Sequence, residues 1–139
     1  MNKYFETATE FKEWLNGDEE FRDKYDEVVV NDDVNLSNSD KLASLPVSLT
    51  VGGYLNICDT SLTSLPEGLK VKRSLYLHHC TSLASLPEGL EVGGYLDLYN
   101  CKSLTSLPER LVVEGVLDIE GCTSLTSLPE GMMVGEVKR

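Results

Sequence analysis

Five Ser-Leu-Pro triplets, beginning at Ser44, Ser64, Ser85, Ser106 and Ser127, contain every proline of the chain and follow one another at intervals of 20, 21, 21 and 21 residues. A period of this size fits a solenoid. Each copy is then one coil that cannot bury its apolar face alone and gains stability by stacking on its neighbours. Function in such a chain is carried by stacked surfaces rather than by a deep pocket.

Within one period the apolar residues recur at fixed offsets. Leu90 and Val92 alternate as a short strand, Gly93 and Gly94 permit a bend, and Leu96 and Leu98 alternate again as a second strand. Leu104 and Leu107 then point inward from the return path. The same frame fits Leu69, Val71, Leu75, Leu77, Leu83 and Leu86, and again Leu111, Val113, Leu117, Ile119, Leu125 and Leu128. It also fits Leu49, Val51, Leu55, Ile57, Leu62 and Leu65, a coil one residue short between Ile57 and Leu62. That gap leaves open whether Cys58 or Asp59 takes the position held elsewhere by cysteine. A degenerate coil of Val28, Val30, Val34, Leu36 and Leu42 precedes the first triplet, so the array starts near Val28. Pro46, Pro66, Pro87, Pro108 and Pro129 are read as corners, where a residue without a backbone donor is tolerated. With about six inward apolar side chains per coil, each contributing about 1.5–3 kcal/mol on burial, the solenoid is expected to stand without disulfides.

The pattern Leu-x-Leu-x-x-Cys-x-x-Leu from Leu75 and Leu96, with Ile119 as its second apolar residue from Leu117, resembles the leucine-rich repeat family over roughly residues 28 to 137. The Leu-Pro that follows is similar to the short bacterial repeats of type III secretion effectors and of many bacterial and phage proteins. The resemblance implies a curved, mostly β leucine-rich repeat solenoid of about five coils, with a parallel β-sheet on its concave face. Residues 28–139 form this array. Residues 1–27 obey another rule and are read as a helical N-terminal cap of one or two short helices. Thr7 and Glu10 have capping-box spacing, Ala8, Phe11, Trp14 and Leu15 share one helical face, and Asn16-Gly17 ends it. A second helix is expected from Asp18, carrying Phe21 and Tyr25. The cap covers an end that would otherwise expose core and strand edges. At the other end the frame runs through Met132 and Val134 to Val137 and stops before another Leu-x-Leu strand. A monomer is expected, with end-to-end pairing through that last coil as the alternative.

Charge narrows the partners. The net charge is −11, of which residues 1–33, with 11 acidic and 4 basic side chains, carry −7. Such a chain repels a nucleic-acid backbone and suits either a basic protein partner or plain solubility. No apolar run reaches membrane-spanning length, and Met1 to Leu15 is too polar and interrupted for a signal peptide, so a cytoplasmic protein is expected, with signal-less secretion left open.

Little points to catalysis. Cys80, Cys101 and Cys122 share one offset and should stack as an inward ladder of reduced thiols. A zinc site at Cys80 with the adjoining His78 and His79 would be the sharper use, but there is no Cys-x-x-Cys pair and a line of thiols is not a tetrahedron. No metal and no cofactor are therefore expected. On a strand the two histidines would face opposite ways, and Ser82, Ser85, Ser103 and Ser106 recur at corners as backbone-bonding residues do. The chain is read as non-enzymatic.

One face remains informative. The residues flanking each Leu-x-Leu pair point away from the core: Tyr54, Asn56 and Cys58; Ser74, Tyr76 and His78; Tyr95, Asp97 and Tyr99; Val116, Asp118 and Glu120; and Asp33, Asn35 and Ser37 in the first coil. Four of the six tyrosines lie among them. The bland reading is that they shield the sheet. The functional one is a protein–protein interaction surface made of Tyr54, Asn56, Tyr76, His78, Tyr95, Asp97, Tyr99, Asp118 and Glu120. Two further readings are an acidic inhibitor or decoy, of phage or mobile-element origin, that imitates nucleic acid, and a sponge holding a nucleotide between His78 and the tyrosines.

Overall fold

A computed structural model describes residues 1–17, 24–39 and 42–139. Eleven short strands and one helix follow in the order β1 (Asn2–Phe5), α1 (Ala8–Leu15), β2 (Glu27–Val30), β3 (Val34–Asn35), β4 (Leu49–Val51), β5 (Leu55–Asn56), β6 (Lys70–Val71), β7 (Leu75–Tyr76), β8 (Glu91–Val92), β9 (Leu96–Asp97), β10 (Val112–Asp118) and β11 (Met133–Lys138). Among the described residues all pairing is parallel, and it falls into two rows. One row stacks β1, β2, β4, β6, β8 and the start of β10; the other stacks β3, β5, β7, β9 and the end of β10. Each coil therefore contributes one strand to each row. The last strand, β11, pairs along β10 in both.

The register is set by which side chains must be buried. In the first row Val30, Val51, Val71, Val92, Val113 and Val134 lie above one another. In the second the stack is Val34, Leu55, Leu75, Leu96, Leu117 and Val137. From Val28 to Leu117 the aliphatic strand positions of these stacks are sealed from solvent. The bend between rows needs close backbone approach, for a Cβ on Gly93 would lie 2.0 Å from the Lys72 carbonyl oxygen. The corner after each proline is a tight turn. Leu90 N–H donates to the Pro87 carbonyl at 3.3 Å, and Gly89 between them has φ +78°. A second left-handed corner follows the Leu-x-Leu strand, at Asn38, Asp59, His79, Asn100 and Gly121.

That second corner resolves the short coil. Asp59 is stacked under His79 and Asn100 in the left-handed column, so the position held elsewhere by cysteine is taken by neither Cys58 nor Asp59 but by Thr60. Its Oγ1 donates to the Ile57 carbonyl at 2.9 Å. The missing residue lies between Thr60 and Leu62, on the return path. Above Thr60 the three thiols stack, each donating to a carbonyl of the coil below: Cys80 to Ile57 and Cys101 to Leu77 at 3.1 Å, and Cys122 to Leu98 at 3.0 Å. Ser103 and Ser124 bond the Thr81 and Lys102 carbonyls in the same way. All four cysteines are free thiols.

Both ends depart from expectation. At the start the cap is not only helical, because β1 extends the first row beyond β2, pairing Phe5 with Val30. Thr7 caps α1 by accepting from Glu10 N–H, and Asp32 of the first coil accepts from Ala8 N–H at 2.8 Å, tying helix to solenoid. Phe5, Phe11, Trp14 and Tyr25 close the end with ring centroids 5.3–6.1 Å apart. The second helix expected from Asp18, with Phe21, lies outside the described residues. At the far end the frame does not stop short: Val137 and Lys138 continue the second row on Leu117 and Asp118, giving six turns rather than about five.

The thiol ladder makes stability sensitive to alkali. Burial is the main cause that raises Cys58, Cys80, Cys101 and Cys122 above their ordinary value near 9. The folded chain then holds more protons than the unfolded one above pH 9, so stability is level below that pH and falls as pH rises toward the folded values. The unfolding free energy from urea titration should be flat from neutrality to about pH 8.5 and then drop by up to about 1.4 kcal/mol per pH unit for each thiol. Replacing Cys101 by Ala should flatten that slope by one thiol's share. A profile flat to pH 11 would contradict the ladder's role.

Candidate functional site

The outward residues of the second row form three columns. Asp33, Tyr54, Ser74, Tyr95 and Val116 come just before each pair of inward aliphatics, Asn35, Asn56, Tyr76, Asp97 and Asp118 lie between the two, and Ser37, Cys58, His78, Tyr99 and Glu120 follow. Backbone bonds from Leu36, Ile57, Leu77 and Leu98 to the next coil's middle residue hold them at one spacing.

The middle column is occupied with its own backbone. Asn35, Asn56, Asp97 and Asp118 each use Oδ1 to accept the N–H two residues on, at Ser37, Cys58, Tyr99 and Glu120, all at 3.0 Å. Tyr76 is the exception. Asp118 is only 5% exposed, and its Oδ2 accepts the Tyr95 hydroxyl at 2.9 Å with Lys138 Nζ at 3.8 Å. Burial first, and Asp118 second, push the Tyr95 phenol up to about 12. Asp118 and Tyr95, taken from sequence as outward contact residues, are thus bound mostly to each other. Glu120 shares Lys138 at 3.8 Å.

Aromatic rings continue along the face. Tyr54 meets Tyr76 edge-on with centroids 6.1 Å apart, and His79 meets Tyr99 at 5.7 Å. Tyr99 is the most open of the four tyrosines, at 40%. The two histidines do not face opposite ways. The strand ends at Tyr76 and the positive φ of His79 turns the chain, so both rings emerge on one side, in edge contact at 5.3 Å.

Beneath these rings the structure gathers a cluster that residue spacing did not single out. Cys58 Sγ lies 3.1 Å from His78 Nδ1, and Asp97 Oδ2 lies 2.8 Å from the same nitrogen. Asp59 sits on the far side, its Oδ2 3.9 Å from His78 Nε2 and its Oδ1 3.2 Å from His79 Nδ1. Two overlapping groups, Cys58–His78–Asp97 and Asp59–His78–His79, bring their ligand atoms within 4.8 Å of one another. The His78 ring therefore neighbours Cys58, not Cys80, which donates to a carbonyl one layer inward. A nucleophilic use of Cys58 fits poorly. The residue is 2% exposed, burial pushes its thiol up to about 12, and it contacts the same imidazole nitrogen as Asp97, so the ring cannot relay a proton between them. Cys58 was visible in the sequence as a face residue. Its pairing with His78 became legible only once the missing residue was placed after Thr60.

The interlock of Tyr95 and Asp118 should be measurable. Tyr95→Phe leaves a buried carboxylate oxygen short of a donor and should lower the unfolding free energy by about 1–3 kcal/mol in urea titration. A change within about 0.3 kcal/mol would mean that water serves Asp118 equally well.

Among the described residues, no helix is long and apolar enough to cross a membrane. Compared with protein-family models, with curated proteins and with solved structures, the chain has no match in any of the three.

Proposed function

We propose that the chain is a non-enzymatic protein-binding module of the leucine-rich repeat kind, whose contact surface is the second-row face around Tyr54, Tyr76, His79 and Tyr99. The observation that carries this reading is the pair of ring contacts, Tyr54–Tyr76 and His79–Tyr99, spread over three consecutive coils of a hydrogen-bonded sheet. Rings fixed in this way lose little entropy on binding and offer a broad apolar body with a polar tip. A solenoid also presents such rows as an extended surface.

The acids play a smaller part than their number suggests. Asp97 and Asp118 are committed to Tyr99 N–H, His78, Glu120 N–H and Tyr95. A phosphate mimic needs carboxylates presented freely, and these are not. At the edges of the patch Asp59 and Glu120 remain at least one-third open, placed to meet a partner's Arg or Lys. The partner is then a protein with an apolar contact beside a basic residue, bound with weak salt dependence.

The test uses the immobilised protein in native lysate, with captured proteins identified by mass spectrometry. Tyr99→Ala, alone and with Tyr76→Ala, should reduce capture of any specific partner at least tenfold while the cooperative thermal transition is kept. Capture unchanged in both variants refutes the surface. Capture that collapses as salt rises, in the wild type, would instead favour the acidic decoy.

A further inference from the structure

Four cysteines line this solenoid, and three of them have carbonyl acceptors. Cys80, Cys101 and Cys122 donate to Ile57, Leu77 and Leu98, whereas Cys58 Sγ meets His78 Nδ1. That nitrogen is asked to do two things. It lies 3.1 Å from Cys58 Sγ and 2.8 Å from Asp97 Oδ2, yet it carries at most one proton. If Nδ1–H donates to Asp97, the Cys58 thiol has no acceptor there; if Nδ1 accepts from the thiol, its lone pair is spent and Asp97 Oδ2 is left facing it without a proton. Three electron-pair donors converging on one point are what a cation satisfies.

We propose that Cys58 Sγ, His78 Nδ1 and Asp97 Oδ2 form a mononuclear site for a zinc-class divalent cation, with a fourth position open to solvent. The donors come from three successive coils, so the strand ladder positions them. Around a tetrahedral zinc, neighbouring S, N and O donors are about 3.3–3.6 Å apart, so His78 Nδ1 needs to draw back by about half an ångström from Sγ and Oδ2, which lie within 4.8 Å of each other. The donor set is mixed and borderline-soft, which favours zinc over magnesium or calcium. Thiolate and carboxylate neutralise the dication, and the thiol proton passes to solvent as the sulfur–metal bond forms.

The surrounding residues suit the same purpose. Asn56 Oδ1 holds the Cys58 N–H and Tyr99 N–H holds Asp97 Oδ1, each at 3.0 Å, leaving Sγ and Oδ2 to converge. Asp59 lies 3.9 Å from the opposite ring nitrogen, the side from which a carboxylate orients a metal-bound imidazole. The His78 side chain is 38% exposed, which gives the ion an entry path. The site borders the tyrosine patch and does not depend on it.

The probe is Co²⁺ added to the reduced, metal-stripped full chain, followed by competition with Zn²⁺. One equivalent should give tetrahedral-intensity visible bands with a thiolate-to-cobalt charge-transfer band, and Zn²⁺ should abolish both and raise the melting temperature until a chelator is added. Cys58→Ser should remove the charge-transfer band, and His78→Gln, at a more exposed position, should weaken binding at least tenfold with the fold retained. Cys122→Ser should leave the spectrum unchanged. A wild-type protein that binds neither ion saturably, a charge-transfer band that survives Cys58→Ser, or full affinity in His78→Gln overturns the site.

Discussion

Everything on the outward face of the second row depends on one backbone ladder. In the second row the N–H groups of Val34, Leu55 and Leu75 bond the carbonyls of Tyr54, Ser74 and Tyr95, and those of Leu98 and Ile119 bond Asp118 and Lys138, at 2.8–2.9 Å throughout. A slip of one residue in this ladder would turn every side chain to the other face. The inward set is aliphatic and sealed, so slip would cost the core, and the outward columns inherit that rigidity. Contact residues spaced by backbone bonds need no supporting pocket.

The ladder also explains why so much of the face is polar without being available. A two-residue strand followed within three residues by a left-handed corner leaves backbone N–H groups that need acceptors. Asn35, Asn56, Asp97 and Asp118 supply them from the middle column. Repetition of an acceptor at that position therefore reports turn chemistry first. Tyr76 departs from the rule, and its ring meets Tyr54 of the preceding coil.

Much of the architecture was legible because it rests on periodicity. Inward leucines and valines, the two strands per coil, the bend at Gly93-Gly94 and the start near Val28 all follow from apolar offsets that no other packing would satisfy. Three features were not legible for a common reason: they are set by pairing partners rather than by pattern. Asn2–Phe5 reads as the lead-in to a helix, and only the exposed edge of β2 makes it a strand. Glu136, Val137 and Lys138 lack the Leu-x-Leu signature, yet the free edge of β10 imposes it. His78 and His79 alternate on paper, and the left-handed corner at His79 puts them side by side.

The short coil shows how a single deletion can be absorbed without disturbing a site. Strand residues cannot be lost, because each is paired on both sides, and the left-handed corner cannot be lost, because Asp59 N–H bonds the His78 carbonyl and Asn38 N–H bonds that of Cys58. The return path between Thr60 and Leu62 has no such neighbours on which register depends, and it takes the loss. Thr60 then replaces a thiol in the ladder with a hydroxyl that reaches the same Ile57 carbonyl from within its own coil. Cys58 stays two residues before it, in the outward column beneath His78. The same constraint that keeps the solenoid in register therefore puts one thiol outside the structural ladder, beside His78.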